Sequence, residues 1–299
     1  MGYIIAVAGK GGTGKTTITA LIVRLIKESG SGSILAIDAD PNSNLAENLG
    51  LKPKDTIGKI LDRVASNLDK IPAGMSKDRF IEYEVQTSIV EAPGFDVLTM
   101  GRPEGPGCYC YVNNVLRGII DKLVKEYDYV VIDNEAGLEH LSRRTTRHAD
   151  VLIVISDATK VGLRSAKRIN ELAEELKIQI KKKLLIINRY NGALRPEGRG
   201  PLRLFGAIPR SGKIECLRLP REHTALSSSA SKRGFSAKGD KEPDKQAVKA
   251  IGIEYIGSIP EDNSIIKLSL EGNSLLGLKN DTTSLNALRK MGDKIWQRS

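Results

Sequence analysis

The sequence predicts an α/β protein built on a single doubly wound, mainly parallel sheet flanked by helices. Short apolar runs recur along the chain at Tyr3–Ala8, Ile34–Ile37, Phe95–Thr99, Tyr129–Ile132, Val151–Ile155, Lys183–Ile187 and Tyr255–Ile259. Stretches of helical period lie between many of them, such as Ile18–Ile26, Val112–Glu126 and Leu163–Leu176. Apolar runs separated by crossover helices make parallel strands covered on both faces. The first run enters a glycine-rich turn, and the second and fourth end in aspartate. Ligands should therefore gather at the carboxyl ends of the strands.

Composition sets the outer limits. The chain has 299 residues, 40% hydrophobic and 27% charged, enough for one large α/β domain with an insertion. No apolar run reaches the ~18 residues of a membrane span, so no membrane is expected. The N-terminus enters a strand without a basic region and cleavage site, and Met1-Gly2 lacks the hydroxyl residue that myristoylation requires. Three cysteines do not make a disulfide framework. A cytoplasmic protein is expected.

The first strand, Tyr3–Ala8, runs into Gly9-Lys10-Gly11-Gly12-Thr13-Gly14-Lys15-Thr16-Thr17, which opens the first helix. This is the G-x-x-x-x-G-K-T phosphate loop in its strand–helix setting. Its glycines let backbone N–H groups close on a phosphate, and the helix N-terminus favours the negative charge. Lys15 should reach the β- and γ-phosphates, and the Thr16 hydroxyl should hold Mg²⁺. Lys10 is a second lysine, too far round the loop to serve its own γ-phosphate easily. The pattern KGGTGKTT resembles the deviant Walker A loop of the family containing septum-site and plasmid-partition ATPases and the nitrogenase iron protein. The resemblance implies that Lys10 crosses a nucleotide-dependent homodimer to the partner's nucleotide.

The second strand delivers Asp38-Ala39-Asp40-Pro41-Asn42. An acid here can position Mg²⁺ or the attacking water, or simply cap a helix. The resemblance assigns water activation to Asp40, which leaves Asp38 as a supporting group behind the site or a magnesium-side group. Residues 52–91 show short helical and extended patches without evident chemistry. The fourth run ends in Asp133, expected in the Mg²⁺ shell, followed by Asn134-Glu135-Ala136-Gly137-Leu138-Glu139-His140 as a candidate second switch segment. His140 reads as a surface or packing histidine, because no second ligand sits at helical spacing. Asn188 closes the Leu184–Ile187 strand, where its amide can read an adenine edge or form a turn; the resemblance favours adenine.

Between the third and fourth runs lies GRPEGPGCYCYVNNVLR, Gly101–Arg117. In an extended chain Cys108 and Cys110 point to the same side, so two thiolates can grip one soft metal ion. Two ligands rarely complete a site, and a two-fold dimer would supply two more. Packing at a tight turn and a redox pair are the competing readings, although redox pairs normally have two intervening residues.

KGGTGKTT, IDADPNSNLAENLG, GRPEGPGCYCYVNN and VVIDNEAGLEHLSRRT together resemble the nickel-insertion accessory ATPases of carbon monoxide dehydrogenase and their relatives in acetyl-CoA synthase maturation. The resemblance covers about residues 1–192 and 250–299. It implies ATP hydrolysis coupled to Ni²⁺ (or Zn²⁺) held by Cys108 and Cys110 of two protomers, with the nickel enzyme as client. An iron–sulfur electron-transfer ATPase and a DNA-partition or positioning switch are the other functions such a chain could serve.

Residues 193–249 interrupt the pattern and read as a basic, mobile insertion. Residues 193–250 carry 13 Lys/Arg against 6 Asp/Glu, which is +7 of the whole chain's +10. Nucleic acid is expected only if this segment binds it. Cys216 lies inside it without a partner at metal spacing. The segment also holds a G-x-I-P echo, Gly206–Pro209, of the later Gly257–Pro260. The adenine loop is assigned to the second copy, hence to Pro260, because Gly272-Asn273-Ser274-Leu275-Leu276 continues the resembled pattern. The last helix presents Leu285, Leu288, Met291, Ile295 and Trp296 on one face, expected to pack on the sheet rather than on a membrane.

Overall fold

The computed structural model describes residues 2–66, 71–101, 110–136, 148–190 and 245–297, without the side chains of 110–117 and 245. Cys108, His140, Cys216 and most of the expected insertion lie outside the described residues.

Eight strands form one sheet: β1 (Tyr3–Gly9), β2 (Ile34–Asp38), β3 (Val90–Ala92), β4 (Phe95–Thr99), β5 (Tyr129–Asp133), β6 (His148–Ser156), β7 (Gln179–Asn188) and β8 (Glu254–Ile259). Their spatial order is β3-β4-β2-β5-β1-β6-β7-β8. Every pairing is parallel except the β3–β4 edge. The doubly wound parallel sheet expected from the alternation is thus present. β3 is an addition, a three-residue antiparallel edge too short to show a period.

The described helices are α1 (Lys15–Ser29), α2 (Leu45–Asn48), α3 (Ile57–Ser66), α4 (Lys77–Ser88), α5 (Cys110–Glu126), α6 (Lys160–Glu175), α7 (Lys245–Lys249), α8 (Asn263–Leu270) and α9 (Thr283–Ile295). They cover both faces. On one face Ile4, Ala6 and Ala8 of β1 meet Ile60 of α3, Val85 of α4, Ile120 of α5 and Ile169 of α6. On the other, Ile5 and Val7 meet Ile18, Leu21 and Ile22 of α1 and Leu285, Leu288, Met291 and Ile295 of α9. Two covered faces explain why the strands read as continuous apolar runs. The last helix packs on the sheet, as its stripe predicts. α7 falls within the expected insertion, and its Val248 joins the core.

Local signals set the helix ends. Thr159 accepts the Gly162 amide to cap α6, and Ser76 accepts the Arg79 amide at α4. Gly30, at φ 64°, returns its N–H to Lys27 and closes α1. Arg24 of α1, 6% exposed, donates to the carbonyls of Leu275 and Leu278 and to Asn280 Oδ1. That buried guanidinium ties the phosphate-loop helix to the C-terminal segment. β1 lies between β5 and β6, where the chain changes the direction in which it adds strands. A crevice at the carboxyl end is the consequence.

Candidate active site

The glycine-rich turn leaves β1 at this crevice. Thr13 closes it by donating from both its amide and its hydroxyl to the Lys10 carbonyl, at 3.3 and 2.8 Å. Gly12 and Gly14 take φ of 82° and 91°, values that L side chains rarely adopt. A Cβ on Gly14 would also strike the Asn188 amide nitrogen. Asn188 Nδ2 donates to the Thr13 carbonyl at 2.8 Å. Part of its amide is therefore spent on bracing the loop, and Oδ1 with the second N–H remains for a base.

Lys15 is the first residue of α1 and is 7% exposed. Behind it, Thr19 Oγ1 lies 2.9 Å from the Lys15 carbonyl and 3.3 Å from Asp133 Oδ1. Asp133 Oδ2 is buried with no hydrogen-bond partner among the described residues. Burial pushes the Asp133 carboxyl up to about 6; the Thr16 hydroxyl, the Lys15 charge and Thr19 hold it back. A buried carboxylate oxygen without a donor, beside Thr16, fits a hydrated divalent cation.

Asp38 is in register with Asp133 across β2 and β5 and is fully buried. Its two oxygens accept the Asp40 amide at 3.2 Å and the Leu45 amide at 2.8 Å. Both therefore tie down the 39–44 loop, and Asp38 is not among the cavity-lining residues. Burial raises its carboxyl to about 7, with the Leu45 amide opposing and the Asp133 charge adding. Asp40, at the top of that loop, accepts from the Asn42 backbone and side-chain amides, each at 2.9 Å.

A cavity of 580 Å³ opens over the loop, lined by Gly11, Gly12, Gly14, Lys15, Thr16 and Thr17. Asp40, Asn42, Asn44, Glu47 and Asn48 form a second wall, and Glu135 with Ala136 a third. A 440 Å³ cavity adjoins it, with Leu21, Ile259, Pro260, Ile265 and Ile266 as apolar walls and Asn188 at its side. Thr17, Arg189 and Ser269 line both. The pair has the shape of a polar phosphate end and an apolar base end. Pro260 of the second G-x-I-P segment lines this second cavity, and the first copy lies outside the described residues. Lys10 is exposed, lines neither cavity, and its side chain makes no hydrogen bond or ion pair among the described residues.

Sequence reasoning missed Glu47, Asn48, Arg189 and Ser269. Arg189 gave one local signal, its place directly after Asn188 at a strand end. It takes φ 56°, a left-handed conformation costing a bulky residue roughly 1–2 kcal/mol. The cysteine pair divides: Cys108 is outside the described residues, whereas Cys110 opens α5. The extended chain assumed for both thus gives way to a helix at the second cysteine.

Among the described residues no helix is long and apolar enough to cross a membrane, and no group of three or more His, Cys, Asp or Glu is placed to hold a metal ion.

Comparison with known proteins agrees with this geometry. A family model described as an AAA domain (AAA_31) matches residues 2–186. An uncharacterized ATP-binding protein of Methanocaldococcus jannaschii is 52% identical over 188 residues, covering 62% of this chain and 74% of that protein. The carbon monoxide dehydrogenase accessory protein CooC of Rhodospirillum rubrum is 32% identical over 187 residues, covering 58% and 70%. The solved structure of the septum site-determining protein MinD complexed with Mg-ADP, from Pyrococcus horikoshii, superposes with a TM-score of 0.62 at 19% identity, covering 99% of this chain and 97% of that one. The chain belongs to the AAA-domain family and is one of its ATP-binding, MinD/ParA/CooC-like P-loop ATPases.

Proposed function

We propose that the protein is a homodimeric, Mg-ATP-hydrolysing metallochaperone. It carries nickel, or zinc in its place, to the active-site cluster of carbon monoxide dehydrogenase or acetyl-CoA synthase. The observation that carries this reading is the G-P-G-C-Y-C sequence at 105–110, leading into α5 from the carboxyl end of β4. That strand end is joined to the nucleotide site. The Met100 amide donates to the Asp38 carbonyl at 2.8 Å, and the Gly58 amide donates to the Met100 carbonyl at 2.8 Å. A rearrangement around Asp38 and Asp40 on hydrolysis thus has a short covalent and hydrogen-bonded path to the cysteines. The relative named as a carbon monoxide dehydrogenase accessory protein supports the same client.

Lys15, with the amides of Gly11, Gly12 and Gly14, holds the phosphates, and Thr16 and Asp133 are the groups that would hold Mg²⁺. Bound Mg²⁺ would supply charge neutralisation at the β- and γ-phosphates. Asp40 orients the attacking water. Lys10, exposed and unpaired, reaches a partner's nucleotide, so dimer closure and γ-phosphate occupancy depend on each other. Closure brings two C-x-C pairs to one metal ion, giving the four sulfurs that such an ion requires. The basic segment 193–249 is an insertion in this ATPase, and any contact with nucleic acid would run through it.

Metal analysis with and without ATP, on the wild type and on Cys108→Ser/Cys110→Ser, tests the proposal. One nickel per dimer that needs ATP and disappears in the double variant is the expected result. Metal content independent of nucleotide, of dimerisation or of the two cysteines refutes it, and stoichiometric iron with a brown colour points to an electron-transfer ATPase instead.

A further inference from the structure

Arg189 carries a role that none of the assignments above gives it. It is the first residue beyond β7, and its φ of 56° is uncommon for a long side chain. That turn lets the Tyr190 amide return to the Ile259 carbonyl on β8, at 3.1 Å. The side chain meanwhile crosses to the phosphate loop, where Nη1 donates to the Gly12 carbonyl at 3.1 Å. Among the described residues no carboxylate pairs with it. A guanidinium has five N–H donors in a planar fork, so most of its capacity is open. Strain of this kind collects at functional sites, where an outlier is a pointer to function.

Its location narrows the ligand. Arg189 is one of three residues shared by the polar and apolar cavities, with Thr17 and Ser269. A nucleotide with its terminal phosphates over Lys15 and its base against Pro260 and Ile265 lays its α-phosphate across that junction. The other shared neighbours there are hydroxyls, so among the described residues that line both cavities Arg189 is the cation. We infer that Arg189 donates to an α-phosphate oxygen of the bound nucleotide while its Nη1 stays on the Gly12 carbonyl. Resting on the nucleotide reading of the cavity, this makes β7 a contributor to phosphate as well as base recognition.

The test uses the full chain, Mg-ATP and the two diastereomers of adenosine 5′-O-(1-thiotriphosphate), each of which replaces one α-oxygen by sulfur. The wild type should bind one diastereomer more weakly than the other. Arg189→Ala should weaken Mg-ATP binding roughly 10–100-fold, as loss of a charge-assisted bond does, and should erase the diastereomer preference. Arg189→Lys should recover part of the affinity, and KM should change more than kcat. Unchanged ATP affinity in Arg189→Ala overturns the inference. So does weakened binding with the diastereomer preference intact, because then Arg189 only braces Gly12. A wild type that binds ATP without preferring either diastereomer overturns it as well. A wild type that binds no Mg-ATP overturns the nucleotide reading beneath it.

Discussion

Two buried aspartates flank the central strand β1, one on each neighbouring strand, and the fold treats them in opposite ways. Asp150 of β6 accepts the Ile4 amide at 2.7 Å and pairs with Lys181 at 2.7 Å and His148 at 3.5 Å. Burial pushes its carboxyl up, but the Lys181 hydrogen bond, the Ile4 amide and the Lys181 and His148 charges outweigh that and hold it below the ordinary value. Asp133, at the carboxyl end of β5, keeps one oxygen without a partner and rises to about 6. The difference separates a group that holds the sheet together from one kept ready for a ligand. Buried polarity is compensated at the amino end and left open at the carboxyl end.

The sharpest way to break this contrast is Asp133→Asn. ATP hydrolysis, followed as phosphate release, should fall roughly 10²–10³-fold, while the melting temperature of the nucleotide-free protein stays level or rises. A fall in stability matching that of a structural aspartate would erase the distinction. Asp150→Ala should do the reverse. Lys181 is 70% exposed, so its pairing is discounted for solvent, but the Ile4 amide loses its acceptor. A loss of about 2 kcal/mol in denaturant unfolding is expected, with hydrolysis per folded molecule retained.

The third effect is a pH slope. Asp38 stands at about 7 in the folded chain, above its ordinary carboxylate value, because burial disfavours its charge. The folded state therefore holds a proton that the unfolded state releases from about pH 4 upward. The stability this confers is complete below that point and is lost as pH rises through about 7. Melting curves of the nucleotide-free protein should decline across that window, and Asp38→Asn should lessen the decline, leaving the share of Asp133, which also stands above its ordinary value. An equal slope in the variant would show that Asp38 is not its source.

What could be read from sequence follows the reach of each interaction along the chain. The phosphate loop is contiguous, so Gly9–Thr17 and its helix are legible from spacing alone. Asp133 was legible because an apolar strand ending in an acid is also a local pattern. Asn188 was half legible: its place at a strand end could be read, but its bond to Thr13, 175 positions away, could not. Asp38 illustrates the same limit. Two carboxylates beside a phosphate loop suggest that both serve phosphoryl transfer, through Mg²⁺ or the attacking water. Only the folded loop reveals that one of them spends its oxygens on the amides of residues 40 and 45. Arg189 depends on a backbone dihedral that composition does not encode, and Glu47 and Asn48 reach the cavity because Asp38 anchors α2.

The order of the strands in space has a consequence for how the site comes into being. The walls of the polar cavity, Ser269 of α8 aside, belong to the run from β1 to Arg189, just past β7. The base end needs Ile259, Pro260, Ile265 and Ile266, which arrive with β8 and α8 on the far edge of the sheet. β8 pairs with β7 across a long stretch of intervening sequence, and such closures are slow to find and cost entropy. In a chain emerging from the ribosome, most of the polar cavity's residues are therefore present before the apolar cavity is complete. If the cavity holds a nucleotide as proposed, its base end is completed later in synthesis than its phosphate end.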